Sequence, residues 1–261
     1  WVKATTQDQR MVNAEQLPTS LCHSHFPSFT LNHHFGIWIR LMGLRTAGVP
    51  VTFIKSIDES HWNTSSSETH QPYPYSKVMA ERKAWEMAEA QDRWQLVCIN
   101  PALVFGRSLT PNTQSGSIEV LQQFTNGLTL AGVPPMWNGV VDVQDVAEAH
   151  LQAAFNPEAT GRYIVSGGTL SLLEIGQLLK AHFGWKFPFP RNELPKAAFK
   201  VIGPFIGFSR EFVELNKGYP IYFDANKSQK ELGLEYRDVK ESLVEHFQQL
   251  LDDGVIKQYI P

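Results

Sequence analysis

The sequence predicts an α/β fold: a parallel sheet covered by helices, followed by a smaller C-terminal lobe. Three observations predict it. Helical and strand patterns alternate between residues 73 and 184, the order that strand–helix units produce. Residues 96–99 form a continuous apolar run, as expected of a strand buried on both faces between helices. After Gly184 the pattern changes, with Pro, Phe and Gly crowding residues 185–225 and the elements becoming short. The chain therefore divides into an atypical segment 1–45, a core portion 46–184 and a C-terminal lobe 185–261.

Each element has its own signal. Residues 51–54 are a β-rich run and a strand candidate, and the polar stretch 56–72 reads as a loop. From Tyr73 to Gln91 the pattern is helical: Val78, Ala84, Trp85 and Ala88 share one face, with Glu81, Arg82 and Glu86 between them. Pro101 ends the regular pairing of the strand at 96–99. Residues 106–117 are a loop and 118–124 a helix. Asp145, with Glu148 three residues on and alanine-rich sequence behind it, predicts a helix start, and that helix should end near Phe155. Residues 162–165 are the next strand, closed by Gly167 and Gly168. Ser171 and Glu174 form a capping box for a helix that stops at Gly184. Residues 238–252 form a last amphipathic helix. Residues 1–45 show neither a strand pattern nor a helical period, apart from one short apolar element at Ile37, Trp38, Ile39 and Leu41.

Composition excludes several classes. The chain has 261 residues, 43% hydrophobic and 19% charged, enough to build a core without disulfides or metal. A net charge of −3 gives no basic footprint for nucleic acid. No apolar run approaches the roughly 18 residues of a membrane span. Two cysteines, Cys22 and Cys98, build no disulfide framework, so a reducing, cytoplasmic setting is the expectation. Cys22, His23, His25, His33 and His34 cluster, but at no recognised zinc spacing, and no metal site is expected.

The sharpest chemical signal is Tyr73-Pro74-Tyr75-Ser76-Lys77. Tyr73 and Lys77 stand four apart at a helix start and so share one face. A free phenol has a pKa of about 10 and exchanges protons poorly at neutral pH. A nearby ammonium favours the phenolate, which suits general acid–base work on a carbonyl or an alcohol. Asp142 and Asp145 read as helix caps. His61 and His70 flank Tyr73 and read as exposed loop histidines. Tyr75 reads as packing or pocket lining, and Cys98 as a small buried hydrophobe.

Several ordered motifs together resemble the extended short-chain dehydrogenase/reductase family. They are Trp62-Asn63-Thr64 with His70 to Lys77, then Asn100-Pro101-Ala102-Leu103-Val104-Phe105-Gly106, then Val141 to His150 with its V-D-V-x-D-V-A-x-A-H pattern. Gly161-Arg162-Tyr163-Ile164 and Asn226-Lys227 with Leu232-Gly233 and Tyr236 continue the resemblance, which covers about residues 58–255. Within the family the chain is most similar to the dihydroflavonol-reductase-like and cinnamoyl-CoA-reductase-like branch.

The resemblance implies a Rossmann-like sheet with a C-terminal substrate lobe. It implies reduction of a small aldehyde or ketone, or the reverse oxidation, with NADP as cofactor and NAD as the alternative. Tyr73 would protonate the substrate oxygen. Lys77 would assist Tyr73 and bind the nicotinamide ribose, and backbone at Pro101, Ala102, Leu103 and Val104 would face the nicotinamide. Ser56 is the candidate for the family's catalytic serine, although it lies closer to Tyr73 than the pattern places that residue.

The chain also departs from the pattern. No Gly-rich strand–turn–helix stands near its start, and Gly36 and Gly43 have the wrong spacing. The dinucleotide-binding half is expected to be missing or atypical. The chain begins at Trp1 rather than Met, and the expectation is a truncated or misassembled product carrying the C-terminal portion of a reductase. Two other readings stand beside the reductase: a nucleotide-sugar epimerase or dehydratase of the same superfamily, and a non-catalytic binding remnant. The oligomeric state stays open.

Overall fold

Strand formation begins with the apolar run around Leu96. In the computed structural model, which describes residues 2–4, 56–110, 115–127, 129–202 and 220–258, that run extends to β2 (Trp94–Pro101). A short strand β1 (Val2–Ala4) pairs antiparallel with its first residues, in a segment where the sequence shows no strand pattern. On the other side β2 runs parallel to β5 (Gly161–Val165), from Val97 opposite Gly161 to Pro101 opposite Val165.

At Ala102, whose amide donates to the Val165 carbonyl, the chain steps into a second three-stranded sheet. There β3 (Leu103–Phe105) lies parallel to β4 (Trp137–Asp142), and β4 lies antiparallel to β6 (Gly168–Ser171). Gly167 and Gly168, expected to close a strand, instead carry the chain from β5 into β6. The Gly167 amide donates to Val140, and Gly168 pairs with it. A four-residue, half-buried strand opening on glycine gives a breaker signal rather than a strand signal.

The helices cap as their sequences dictate. Ser115 accepts from the Ile118 amide and opens α2 (Gly116–Gln123). The α3 helix (Val143–Phe155) starts three residues before the expected point. Asp142, not Asp145, is its N-cap and accepts from the Gln144 amide at 2.7 Å. Asp145 falls in the first turn, where its carboxylate accepts from the Arg237 amide. Ser171 and Glu174 make both bonds of the capping box on α4 (Leu172–Phe183), which ends at Gly184 with a positive φ of 68°. Beyond it lie α5 (Lys196–Ile202), α6 (Asn226–Leu232) and α7 (Val239–Asp252), the last capped by Asp238. The short helices α5 and α6 carry no period long enough to read from sequence.

Two apolar clusters hold these elements. The larger joins Leu103, Phe105 and Val140 of the second sheet to Leu121 of α2, Ile175 of α4 and Leu243 of α7. The rings of Phe183, Phe187, Phe189 and Phe247 close it, with centroids 4.8 Å apart for Phe183–Phe247 and 5.0 Å for Phe187–Phe247. Phe187 and Phe189 are buried in this core; residues 203–219 lie outside the described residues. The smaller cluster packs Val97, Val141, Tyr163 and Leu232 around the first sheet. The expected strand at 51–54, the apolar element at 37–41 and the Cys22–His34 cluster also lie outside the described residues.

The turn after β3 is fixed by two groups. Gly106 has φ 120°, and a Cβ there would stand 2.7 Å from Val143 Cγ1, so no other residue fits. Its amide donates to Nδ1 of His246 on α7 at 3.3 Å, and the His246 ring packs edge-on to Phe105. Burial pushes the His246 imidazole down from 6.5 to about 4. Between those values the unfolded chain binds a proton at this site and the folded chain does not. The site costs no stability above pH 6.5, and the fold loses stability as pH falls toward 4. Urea melts at pH 7.5 and 4.5 should show a loss in the wild type that exceeds the loss in His246→Gln by on the order of 3 kcal/mol. Equal losses would show that the imidazole is not held neutral.

Candidate active site

The site is built where a polar loop runs into a helix beside the ends of β2 and β3. Asp58 organises the loop. Its carboxylate accepts from the Ser60 amide and hydroxyl and meets His61 Nδ1 at 2.8 Å. Those hydrogen bonds, the Ser60 hydroxyl first, hold the Asp58 carboxyl below its usual range. Asn63, itself buried, accepts from the Ser65 and Ser66 amides at 3.1 Å and pins the next turn. Gln71, with a left-handed φ of 55°, then turns the chain into α1 (Pro72–Glu89). Pro72 suits the first turn of a helix, where its missing amide has no intrahelical partner to lose.

That start places Tyr73 and Lys77 one turn apart. Lys77 Nζ stands 5.2 Å from the centroid of the Tyr73 ring, which is 42% exposed. Both border a cavity of about 620 Å³. One wall is α1, with Tyr73, Lys77 and Glu81, together with His61 and Trp62 of the loop. Asn100, Pro101, Ala102 and Leu103 also line it, and Trp137, Gly139 and Phe223 add further lining. Cys98 and Asn100 of β2 stand beside Arg162 and Ile164 of β5, and all four border the cavity.

Tyr73, Lys77, Pro101, Ala102 and Leu103 thus all border one cavity. Val104 does not border the cavity. It follows the alternation of β3 and packs toward the core cluster around Val141. Ser56 is exposed and is not among the lining residues. His61 is not an exposed loop histidine: its side chain is 24% exposed and lines the cavity. Tyr75 is half-buried and outside the cavity wall.

Asn100 and Arg162 are two lining residues that stand in the sequence motifs but had no role in a site assigned from sequence. Asn100 Nδ2 is buried with no hydrogen-bond partner, a donor left for a ligand to satisfy. A polar residue inside an apolar strand run was the available signal. Among the described residues, no group of three or more His, Cys, Asp or Glu is placed to hold a metal, and no helix is long and apolar enough to cross a membrane.

The order of parallel strands and crossover helices defines a Rossmann-like fold. Residues 46–166 match the model of the NAD dependent epimerase/dehydratase family. Over that stretch the chain is similar to the family, and its curated relatives include cinnamoyl-CoA reductases, tetraketide alpha-pyrone reductases and an anthocyanidin reductase. It is 31% identical to cinnamoyl-CoA reductase 2 of Arabidopsis thaliana over 201 residues, covering 76% of this chain and 54% of that protein. It is 27% identical to the NADPH-dependent methylglyoxal reductase GRE2 of Saccharomyces cerevisiae over 209 residues, covering 75% of this chain and 57% of that protein. The structure of Gre2 from Candida albicans in complex with NADPH superposes with a TM-score of 0.60 at 25% identity, covering 81% of this chain and 62% of that one. The chain spans about half the length of the curated relatives it matches.

One lining group is chemically silent. Burial, with the Glu81 carboxylate second, pushes the Cys98 thiol up to about 12, so it carries no thiolate at neutral pH. Iodoacetamide at pH 8 should label Cys98 at least about 100-fold more slowly in the native chain than in urea. Peptide-resolved mass spectrometry reads this separately from Cys22, and equal rates would show a thiol open to solvent.

Proposed function

We propose that this chain carries the carbonyl-reducing part of an NADPH-dependent reductase acting on a small aldehyde or ketone. The observation that carries the reading is that Tyr73 and Lys77 line the same largely apolar cavity as Asn100 to Leu103. The residues present fit the nicotinamide end of the cofactor. The unpartnered Asn100 amide offers a donor to a ligand oxygen, Lys77 offers donors to ribose hydroxyls, and Pro101, Ala102 and Leu103 line the same cavity. The diphosphate end is not accounted for by a Gly-rich turn anywhere in the described residues.

When bound, the cofactor supplies a hydride to the carbonyl carbon. Tyr73 Oη donates its proton to the carbonyl oxygen as that oxygen becomes an alkoxide, and regains a proton from water at the open mouth. Lys77 Nζ, 5.2 Å from the Tyr73 ring centroid, holds positive charge beside the ring. Trp62, Trp137 and Phe223 exclude water from the reacting carbon and favour a substrate with an apolar body. Asp58 steadies His61 at the cavity wall.

Tyr73→Phe should lower kcat roughly 10²- to 10⁴-fold while NADPH affinity, read by calorimetry, stays within threefold. Unchanged turnover in that variant would refute Tyr73 as the proton donor. A folded wild-type chain that bound neither NADPH nor NADH would favour the non-catalytic reading. Turnover of sugar nucleotides with no carbonyl reduction would favour the epimerase.

A further inference from the structure

The helix that bears Tyr73 is weakly anchored by apolar contact. Of its 18 residues only Pro74 is buried. A helix that hides so little of its surface gains little from the hydrophobic effect, which ordinarily fixes a helix to a sheet. Polar contacts therefore matter more than usual to its position, and one side chain of β5 makes several of them.

The Arg162 guanidinium reaches two segments at once, helix α1 and the loop before it. Nε donates to Glu81 Oε1 at 2.7 Å and Nη2 to Glu81 Oε2 at 3.4 Å. Nη1 donates to the carbonyls of Glu59 at 2.6 Å and His61 at 2.8 Å. The same group lies 4.1 Å from the centroid of the Trp62 ring, over which Arg82 of α1 also lies at 5.6 Å. The ion pair is largely withdrawn from water, with side chains 15% and 16% exposed. Glu59 returns the contact, its carboxylate accepting from the Ile164 amide at 2.9 Å. Arg162 is itself held by its place in β5, paired with Cys98, and by Lys227, which donates to its carbonyl.

We propose that Arg162 is the positioning residue of this site. From the sheet it fixes helix α1 through Glu81, one turn beyond Lys77, and fixes the loop that presents His61 and Trp62, so that Tyr73 and Lys77 stand at a set place on the cavity wall. The planar guanidinium suits this task because its fork serves a carboxylate and two carbonyls together; a lysine ammonium is a point charge without that fork. The catalytic part of the inference rests on Tyr73 as the proton donor, whereas the anchoring part does not.

The test is peptide-resolved hydrogen exchange on the full chain, for the wild type, Arg162→Gln, Arg162→Lys and the isosteric Glu81→Gln, with carbonyl reduction measured on the same samples. In Arg162→Gln, exchange over residues 57–63 and 72–89 should rise at least about tenfold while α4 and α7 keep their protection. Arg162→Lys should restore less than half of the difference. Glu81→Gln should give a smaller rise confined to the same peptides, and it serves as the test if Arg162→Gln does not fold. Unchanged exchange in those peptides, or an equal rise across α4 and α7, would overturn the anchoring role. In the activity arm, Arg162→Gln should lower kcat about 10- to 100-fold with KM within threefold, since displaced catalytic groups lose transition-state contacts first. Loosened peptides with unchanged kcat would overturn the link to catalysis. A wild-type chain without reductase activity would sink the Tyr73 reading and leave the anchoring role to be decided by exchange.

Discussion

The parallel pairing of β2 with β5 is the constraint on which the site depends. It puts Cys98 beside Arg162 and Asn100 beside Ile164 on the wall of one cavity. It ends at Pro101 opposite Val165, and the next residue, Ala102, still bonds to Val165 as the chain steps into the second sheet. Residues 100–103 therefore stand where one sheet gives way to the other, at the carboxyl end of β2. Open α/β sheets characteristically bind ligands in the crevice outside the carboxyl ends of their strands.

Polar contacts rather than burial organise the side of the cavity that faces β2. The loop before α1 is tied by Asp58, Asn63 and the Arg162 guanidinium, and α1 by Glu81. The opposite side is conventional. β3 and β4 pack into an aromatic and aliphatic core with α4 and α7, and buried Asp142 both caps α3 and meets Arg237 at 3.0 Å. That carboxylate is withdrawn from water, so its helix cap and its cation partner are both needed to offset the cost of burial. The two sides differ in what they can tolerate: the core resists changes of volume, and the site depends on a few directional bonds.

Much of the fold was legible because its signals are local. A capping box needs only Ser171 and Glu174, a helix stop needs only Gly184, and an apolar run of four residues is enough to announce β2. Tyr73 and Lys77 were legible for the same reason, since four residues on a helix is a fixed distance. The misreadings come where a local signal has two meanings. Asp142 and Asp145 are both acceptable caps, and the choice between them was made by where β4 ends. Gly167 and Gly168 read as a stop, yet β4 supplied an edge for a further strand.

The sequence by itself determined the class of fold, most of the long elements and the four-residue spacing of Tyr73 and Lys77. Each follows from periodicity or from spacing within one segment, which the chain carries wherever it goes; the family likeness rests instead on several ordered motifs taken together. Only the tertiary structure decided that Val104 turns toward the core, that His61 lines the cavity, that Asn100 keeps an unpartnered amide there and that Arg162 joins β5 to α1 across 81 residues. These outcomes depend on strand register and on which faces meet. Register is set by the pairing of segments far apart in sequence, and no single segment contains that information.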